Sequence, residues 1–193
     1  MPKLSIIIAS TRPGRAGRPI AAWFAEQARA NAACDVSLID LAAVDLPMLD
    51  EPDLPALRRY RNRHTRDWSA IVDAADAFVF VTPEYNHGYP ATLKNAIDYL
   101  HDEWSFKPVG FVSYGGVSAG TRAVEQLKQV VSAVRMSPVH NVVNIPFHTQ
   151  FFDGDGRVRA NAIMEAAAVA MLDEIVRTEA VLRRLRPGLQ AAA

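Results

Sequence analysis

The segment from Ala77 to Leu100 changes from a strand pattern to a helix pattern, and it constrains the fold more than any other stretch. Its first part, Phe78–Val81, is a continuous apolar run, which is typical of a strand buried on both faces in a parallel sheet. Its last part has apolar residues at helical spacing after Pro90, a residue suited to the first helical position. The polar residues between them lie where a buried strand passes into a helix. In open α/β sheets, ligands bind there.

This turn carries more chemistry than a simple connection needs. Pro83 fixes one backbone angle, and Gly88 is expected to supply a conformation that other residues rarely adopt. Between them stand a carboxyl, an aromatic, an amide and an imidazole side chain, on Glu84, Tyr85, Asn86 and His87. Binding residues concentrate on such loops, so we predict a ligand-binding turn, with an ordinary surface turn as the alternative.

Composition excludes several classes of protein. The 193 residues suit one domain with a single core, spanning residues 1–193. The 21 basic and 21 acidic residues give no net charge, which argues against nucleic acid as the main partner. The one cysteine, Cys34, excludes an internal disulfide and a thiolate metal site, and is expected to be a small buried apolar group. No segment approaches a membrane span and no signal peptide is evident, so we expect a cytoplasmic protein without a membrane partner.

The rest of the chain alternates between strand and helix patterns. Apolar runs predict four further strands, over Leu4–Ala9, Val36–Leu41, Pro108–Ser113 and Val139–Ile145. Helical periodicity follows the strands around Ile20–Ala28, over Leu57–Ala75, from Thr121 onward and over Asn161–Leu185. In the second of these helices, Trp68, Ile71 and Val72 are predicted to face inward. Five alternating strands and helices predict an α/β protein with a parallel sheet covered on both faces.

The loop after the first strand, Ser10–Pro19, has the features of an anion site. It contains Arg12, Arg15 and Arg18, and no acidic residue occurs between Lys3 and Ala25. A glycine-containing loop that enters a helix directs backbone N–H groups and the helix dipole at an anion, and arginines add charged donors. A solvated loop with scattered arginines is the alternative.

Two familiar nucleotide-binding patterns are missing from this loop. It has neither the P-loop pattern nor G-x-G-x-x-G. Asp40 ends the second strand, where a dinucleotide-binding fold places a ribose-binding acid, but without the glycines we predict that Asp40 caps a turn. A non-flavin nucleotide-binding enzyme that uses Asp40 stays open as an alternative.

The loop after the fourth strand, Tyr114–Gly120, contains three glycines, a tyrosine and a serine. Glycines let a backbone approach a flat ligand closely, and Tyr114 offers a stacking face. This loop, the arginine loop and the turn at Pro83–Gly88 converge only if the strand order is 2-1-3-4-5. The resulting cleft suits a ligand with a phosphate end and a flat end, such as FMN.

A second basic cluster, between Arg58 and Arg66, has a less specific explanation. Asp50, Glu51 and Asp53 lie close by in sequence, so we predict a solvated, charge-balanced surface. A nucleic-acid or 2′-phosphate site is the alternative.

The three loops together resemble those of the flavodoxin-like NAD(P)H-dependent FMN reductases, which include quinone and azo reductases. The chain has STRPGR after the first strand, PEYN followed by LKNAIDYL in the central segment, and SYGGVSAG after the fourth strand. Ala9 stands where that family frequently has glycine. The resemblance implies a flavodoxin-like three-layer sandwich with a five-stranded parallel sheet in the order 2-1-3-4-5.

The resemblance also implies which residues bind FMN. The phosphate and ribityl chain would be surrounded by Ser10, Arg12, Arg15, Arg18 and Ile20. The isoalloxazine would be lined by Pro83, Glu84, Tyr85 and Asn86. Its opposite edge would be held by Ser113, Tyr114, Gly115, Gly116 and Ser118. Neither a catalytic side chain nor a metal site is assigned.

The implied activity is that of an NAD(P)H-dependent FMN-containing oxidoreductase. A hydride passes from NADPH or NADH to flavin N5, and electrons then reach a small-molecule acceptor such as a quinone, an azo compound or free flavin. His87 is a candidate to face that acceptor. The alternative is a flavin-binding electron-transfer or redox-sensing module without productive NAD(P)H turnover. A homodimer or a dimer of dimers is also implied, with the helix after PEYN at the contact; Trp104 and Phe106 are candidates for that seam or for the core.

Overall fold

A computed structural model describes residues 1–31 and 33–186. Its sheet is parallel, and its strands are β1 (Lys3–Ile8), β2 (Asp35–Asp40), β3 (Ala77–Pro83), β4 (Pro108–Tyr114), β5 (Ser137–Pro138) and β6 (Val143–Ile145). The strand order is β2-β1-β3-β4-β5, and β6 also pairs with β4. The predicted order and the flavodoxin-like class are confirmed, with a sixth strand added to the sheet.

Helices cover both faces of the sheet. They are α1 (Gly17–Ala30), α2 (Leu41–Val44), α3 (Arg63–Asp73), α4 (Ala91–Asp98), α5 (Thr121–Ala133) and α6 (Ala162–Leu182). Alternate strand residues point to opposite faces. Ile6 and Ile8 therefore pack with α1 and α6, whereas Ile7 packs with α3, α4 and α5. Nowhere in residues 1–31 and 33–186 is a helix both long and apolar enough to span a bilayer.

The fifth predicted strand is interrupted. Pairing with β4 begins early at Ser137–Pro138, stops, and resumes only at Val143–Ile145. The reason is a tertiary contact, because the Glu174 carboxylate of α6 accepts the backbone N–H groups of His140 and Asn141 at 2.8 Å each. Those two donors are therefore withdrawn from the sheet.

The helix predicted over Leu57–Ala75 begins only at Arg63. Before it, the chain makes a single 3-10 turn, Pro55–Leu57, and then runs irregularly. The Glu51 carboxylate accepts the backbone N–H groups of Arg61 and Asn62, at 2.9 and 2.8 Å. These donors are thereby satisfied without helix.

Most of the predicted inward residues are buried, with one clear exception. Trp68 and Val72 of α3 are buried, but Ile71 is 41% exposed, so its predicted inward orientation is wrong. Trp104 is fully buried against Trp68 and Phe78 within this chain. Core packing therefore accounts for Trp104 without an intersubunit seam. Cys34 is buried, as predicted.

Candidate functional site

Three loops meet at the carboxyl edge of the sheet, after β1, β3 and β4. Ser10 begins the arginine loop, separated from β1 by Ala9, and is fully buried. Its Oγ lies 2.7 Å from the hydroxyl of Tyr85, which belongs to the loop after β3. This hydrogen bond joins the arginine loop to the PEYN turn, two of the three elements that the sequence predicted to converge.

The PEYN turn is a tight hairpin with two residues in the left-handed region. Tyr85 and Gly88 exchange both backbone hydrogen bonds, at 2.8 and 2.9 Å. The two residues between them, Asn86 and His87, have φ values of 50° and 70°. The expectation that Gly88 carries the unusual conformation is therefore wrong. Asn is among the residues that tolerate this region best, whereas His87 is held there by the hairpin.

A charged cluster fastens the PEYN turn to the loop after β4. The nearly buried carboxylate of Glu84 accepts hydrogen bonds from Arg122 Nε at 2.6 Å and Ser118 Oγ at 3.2 Å. Arg122 Nη2 also donates to Ser118 Oγ, at 2.8 Å. Burial acts to raise the pKa of Glu84, but the hydrogen bonds and charge of Arg122 outweigh burial, so the pKa lies below its usual value. Glu84 is therefore a carboxylate at neutral pH.

Arg122 was missed by the sequence reasoning. It occupies the first turn of α5, where the helix dipole disfavours a cation. That unfavourable position is a signal that a carboxylate lies nearby. The structure supplies this partner as Glu84.

The amino end of α1 is open to an anion. The helix begins at Gly17 without a side-chain cap and without an acidic residue in its first turn. Arg12 and Arg18 flank this end, both are exposed, and neither guanidinium group is paired with a residue that the structure describes. Pro19 has no N–H, and Ile20 N donates to the carbonyl four residues earlier. The first turn therefore offers the N–H groups of Gly17 and Arg18. Together with two guanidinium groups nearby in sequence, they form a donor set suited to a phosphate.

Arg15 is already paired. Its Nη2 lies 2.5 Å from Oδ2 of Asp40, and both side chains are largely buried, with 17% and 21% of their surface exposed. The other carboxylate oxygen, Oδ1, accepts the backbone N–H of Ala42 and caps α2, as the sequence predicted for Asp40. Both Asp40 oxygens already accept hydrogen bonds from the protein, which weighs against the nucleotide-binding alternative.

Tyr114 is placed differently from the expectation. It is 3% exposed and packs in the core, so it offers no stacking face to a ligand, and that expectation is wrong. A Cβ on Gly17 would lie 2.7 Å from the Tyr114 hydroxyl, so glycine is what allows the ring to pack under the start of α1. This hydroxyl is buried without a hydrogen-bond partner among the described residues. Burial raises the pKa of Tyr114 above its ordinary value, so the hydroxyl stays protonated.

The remaining predicted site residues fall into two groups. Ile20 and Ser113 point inward: Ile20 packs in the core, and Ser113 Oγ donates to Asn144 at 2.8 Å. Gly116 lies on the loop surface, where a Cβ would have no neighbour within 4 Å, whereas a Cβ on Gly115 would meet the Gly120 nitrogen at 3.2 Å. Pro83 ends β3 beside Tyr114 in the sheet register.

The placement of these residues fits FMN. The uncapped start of α1 lies over the Tyr114 hydroxyl, and Arg12 and Arg18, whose guanidinium groups have no partner among the described residues, flank this start in sequence. On the loop after β4, a Cβ on Gly116 would have no neighbour within 4 Å, so the loop surface is open there. The donors suited to an anion and the open loop surface suited to a planar group thus lie on different loops.

Comparison with known proteins agrees with this geometry. The NAD(P)H-dependent FMN reductase of Schizosaccharomyces pombe is 42% identical over 149 residues, which cover 75% of this chain and 74% of that protein. The NAD(P)H-dependent FMN reductase LOT6 of Saccharomyces cerevisiae is 39% identical, covering 76% of this chain and 83% of its own. An NADPH azoreductase of a Bacillus species is 29% identical over 79% of this chain and 81% of its own.

Solved structures show the same fold. The flavoenzyme NAD(P)H:(acceptor) oxidoreductase FerB of Paracoccus denitrificans superposes with a TM-score of 0.76 at 21% identity, over 92% of this chain and 99% of that one. The sequence profile described as NADPH-dependent FMN reductase matches residues 2–150, which include all three site loops. This chain belongs to the NADPH-dependent FMN reductase family.

Proposed function

We propose that this protein is an NAD(P)H-dependent oxidoreductase that binds FMN at the carboxyl edge of its sheet. The observation that carries the proposal is the uncapped start of α1, with unpaired arginines at positions 12 and 18, after a loop that the Ser10–Tyr85 hydrogen bond joins to the PEYN turn. A ligand whose phosphate binds there and whose planar ring lies beside the PEYN turn would contact all three loops that the structure brings together.

Each loop has a separate task in this proposal. The phosphate is held by backbone N–H groups at the start of α1 and by Arg12 and Arg18. The isoalloxazine lies against the main chain of Pro83–Asn86 and the loop at Gly115–Gly116. Ser118 fixes the separation of these two walls through Glu84, because it bonds the same carboxylate as Arg122. When bound, FMN supplies the redox chemistry, taking electrons from NAD(P)H and delivering them to an acceptor.

The protein's own contribution is orientation and exclusion rather than proton transfer. Glu84 is ionised and held by three hydrogen bonds, so it is poorly placed to act as a general acid. His87 is exposed on the turn, and its carbonyl accepts a hydrogen bond from Gln126 Nε2 at 3.1 Å. We propose quinones, azo compounds or free flavin as acceptors, in line with the names of the relatives, with His87 at the mouth of the site.

A visible spectrum tests this function. Protein freed of ligand is titrated with FMN, and NADPH or NADH is then added without oxygen, followed by a quinone or an azo dye. We expect saturable FMN uptake, loss of flavin absorbance on adding the nicotinamide, and its return with the acceptor. FMN uptake without reduction would instead favour a flavin-binding module, and absence of uptake would refute the proposal. If the His87→Ala variant keeps the wild-type preference among acceptors, His87 does not contact the acceptor.

We further propose that the protein assembles as a homodimer or a dimer of dimers beside α4. An apolar group on the loop after α2 is exposed, including Met48 at 75% and Leu54 at 73%. This loop is fastened to α4, because Leu49 N donates to Asn95 Oδ1 at 2.9 Å. Light scattering of Met48→Lys and Leu54→Lys variants tests the contact: dissociation supports it, and an unchanged mass excludes this face.

A further inference from the structure

A carboxylate stands beside the proposed phosphate site, where an uncompensated negative charge would oppose binding. Asp40 ends β2 and lies directly opposite Ile8 of β1 in the sheet register, next to the start of the arginine loop. Coulomb repulsion between a carboxylate and a phosphate costs free energy unless a cation intervenes. The position of Asp40 therefore calls for an explanation in terms of its partners.

Both Asp40 oxygens are committed to different segments. One caps α2 through Ala42 N at 3.1 Å, and the other holds Arg15 at 2.5 Å. Because both members of the pair are largely buried, the guanidinium is fixed in direction rather than exchanging with solvent. Arg15 is therefore an anchor for its loop, and its charge is cancelled by Asp40.

The anchor acts on the backbone that faces the phosphate. Arg15 N donates to the carbonyl of Arg12 at 3.1 Å, closing a turn in which Gly14 has a φ of 70°. Two residues later α1 begins at Gly17. Fixing the Arg15 side chain thus fixes both the turn that presents Arg12 and the approach to the helix start.

We propose that Asp40 is a positioning residue for phosphate binding, which holds the arginine loop through Arg15 without touching the ligand. The inference rests on the proposed FMN site and assigns different roles to its arginines. Arg12 and Arg18 supply net positive charge, whereas the Arg15–Asp40 pair fixes the conformation of the loop. It also sets two physical effects against each other. Removal of the Asp40 charge strengthens phosphate binding if simple electrostatics governs the site, and weakens it if loop position governs.

The Asp40→Asn variant separates these effects, because the amide oxygen can still cap α2 while the charge that holds Arg15 is lost. Affinities for FMN and for riboflavin, which lacks the phosphate, are measured by flavin fluorescence. We expect FMN affinity to fall by about tenfold and riboflavin affinity to change by less than about twofold. A general structural role would weaken both ligands together. Asp35→Asn, at the exposed opposite end of β2, is the matched control and should leave both affinities unchanged.

A double-mutant cycle with Arg15→Met tests whether Asp40 acts through Arg15. Once Arg15 is absent, Asp40→Asn should produce no further loss of FMN affinity. The Arg15→Met variant alone also answers the question if Asp40→Asn fails to fold. Equal or tighter FMN binding by Asp40→Asn, with wild-type protein binding FMN normally, overturns this inference and leaves the proposed function standing. Failure of wild-type protein to bind FMN overturns both.

Discussion

The amino edge of the sheet holds two paired cations, Lys107 and Arg186, whereas two cations at its carboxyl edge have no partner among the described residues. At the carboxyl edge, Arg12 and Arg18 are exposed beside a helix start without a described partner. At the amino edge, a cavity of about 440 Å³ is also lined by cations. There, Lys107 Nζ donates to the carbonyls of Val72 and Asp73, and Arg186 pairs with Asp76.

The difference separates a binding edge from a structural edge. At the amino edge, Lys107 donates to backbone carbonyls that end α3, and Arg186 pairs with Asp76 just before β3, so both cations have structural partners. At the carboxyl edge comparable donors are left open to a ligand. The combination of unpaired charge with an uncapped helix start, rather than cavity volume, therefore identifies the candidate site. Substitutions at the amino edge should change stability and spare FMN binding, and those at the carboxyl edge should do the reverse.

The largest effect is expected at Glu103, on the amino side of the sheet. Its fully buried carboxylate accepts from Ser69 Oγ at 2.6 Å and Tyr60 Oη at 2.9 Å, and lies 3.4 Å from Arg58 Nε. Glu103→Ala leaves these groups without their acceptor and should lower the free energy of unfolding by about 4 kcal/mol, measured with urea. Asp102→Ala, at the more exposed neighbour, is the control. If Glu103→Ala folds but binds FMN tenfold more weakly, a loss of about 1.4 kcal/mol in binding free energy, the two edges are not separated in function.

Lys107 should make stability depend on alkaline pH. Burial lowers its pKa from 10.5 to about 8. Between these values the unfolded chain binds more protons than the folded chain, so the contribution of Lys107 to stability rises with pH. Relative to Lys107→Met, wild-type protein should gain up to about 3 kcal/mol across that window, in denaturant titrations at several pH values. A pH-independent difference between the two proteins would show that the ammonium group is solvated.

At the carboxyl edge, Arg12→Ala and Arg18→Ala should each weaken FMN binding by about tenfold. Each variant should also show a shallower dependence of FMN affinity on salt, because one fewer cation faces the phosphate. Thermal unfolding should be unchanged. Arg63→Ala, at an exposed arginine on α3, is the matched control. Equal weakening of riboflavin binding would contradict the phosphate assignment.

The smallest effect is expected from Tyr85→Phe, which removes the hydrogen bond between the PEYN turn and Ser10. A net loss of about 1 kcal/mol, or about fivefold in FMN affinity, follows from one neutral hydrogen bond. Tyr89→Phe, in the same loop, serves as the comparison. If Tyr85→Phe binds FMN as tightly as wild-type protein, the two loops are held together by other contacts.

Local sequence patterns were sufficient for the sheet and for the convergence of its loops. The run at Phe78–Val81 needs no distant contact to be recognised as a buried strand, and it is fully buried in the structure. The site was harder where a distant contact decides the outcome. Tyr114 was expected to stack on a ligand, and only its packing beneath Gly17 shows otherwise. The interrupted fifth strand likewise depends on Glu174, a residue of the last helix.

The left-handed pair Asn86–His87 also limits how the protein can be re-engineered. A screen that randomises position 87 to alter acceptor choice samples few usable amino acids, because valine, isoleucine and threonine are strained at a φ of 70°. Glycine, asparagine and aspartate are the substitutions that adopt this left-handed conformation most readily. Broader diversity for a changed acceptor preference is better introduced at Val117, which is 81% exposed and has an ordinary backbone conformation.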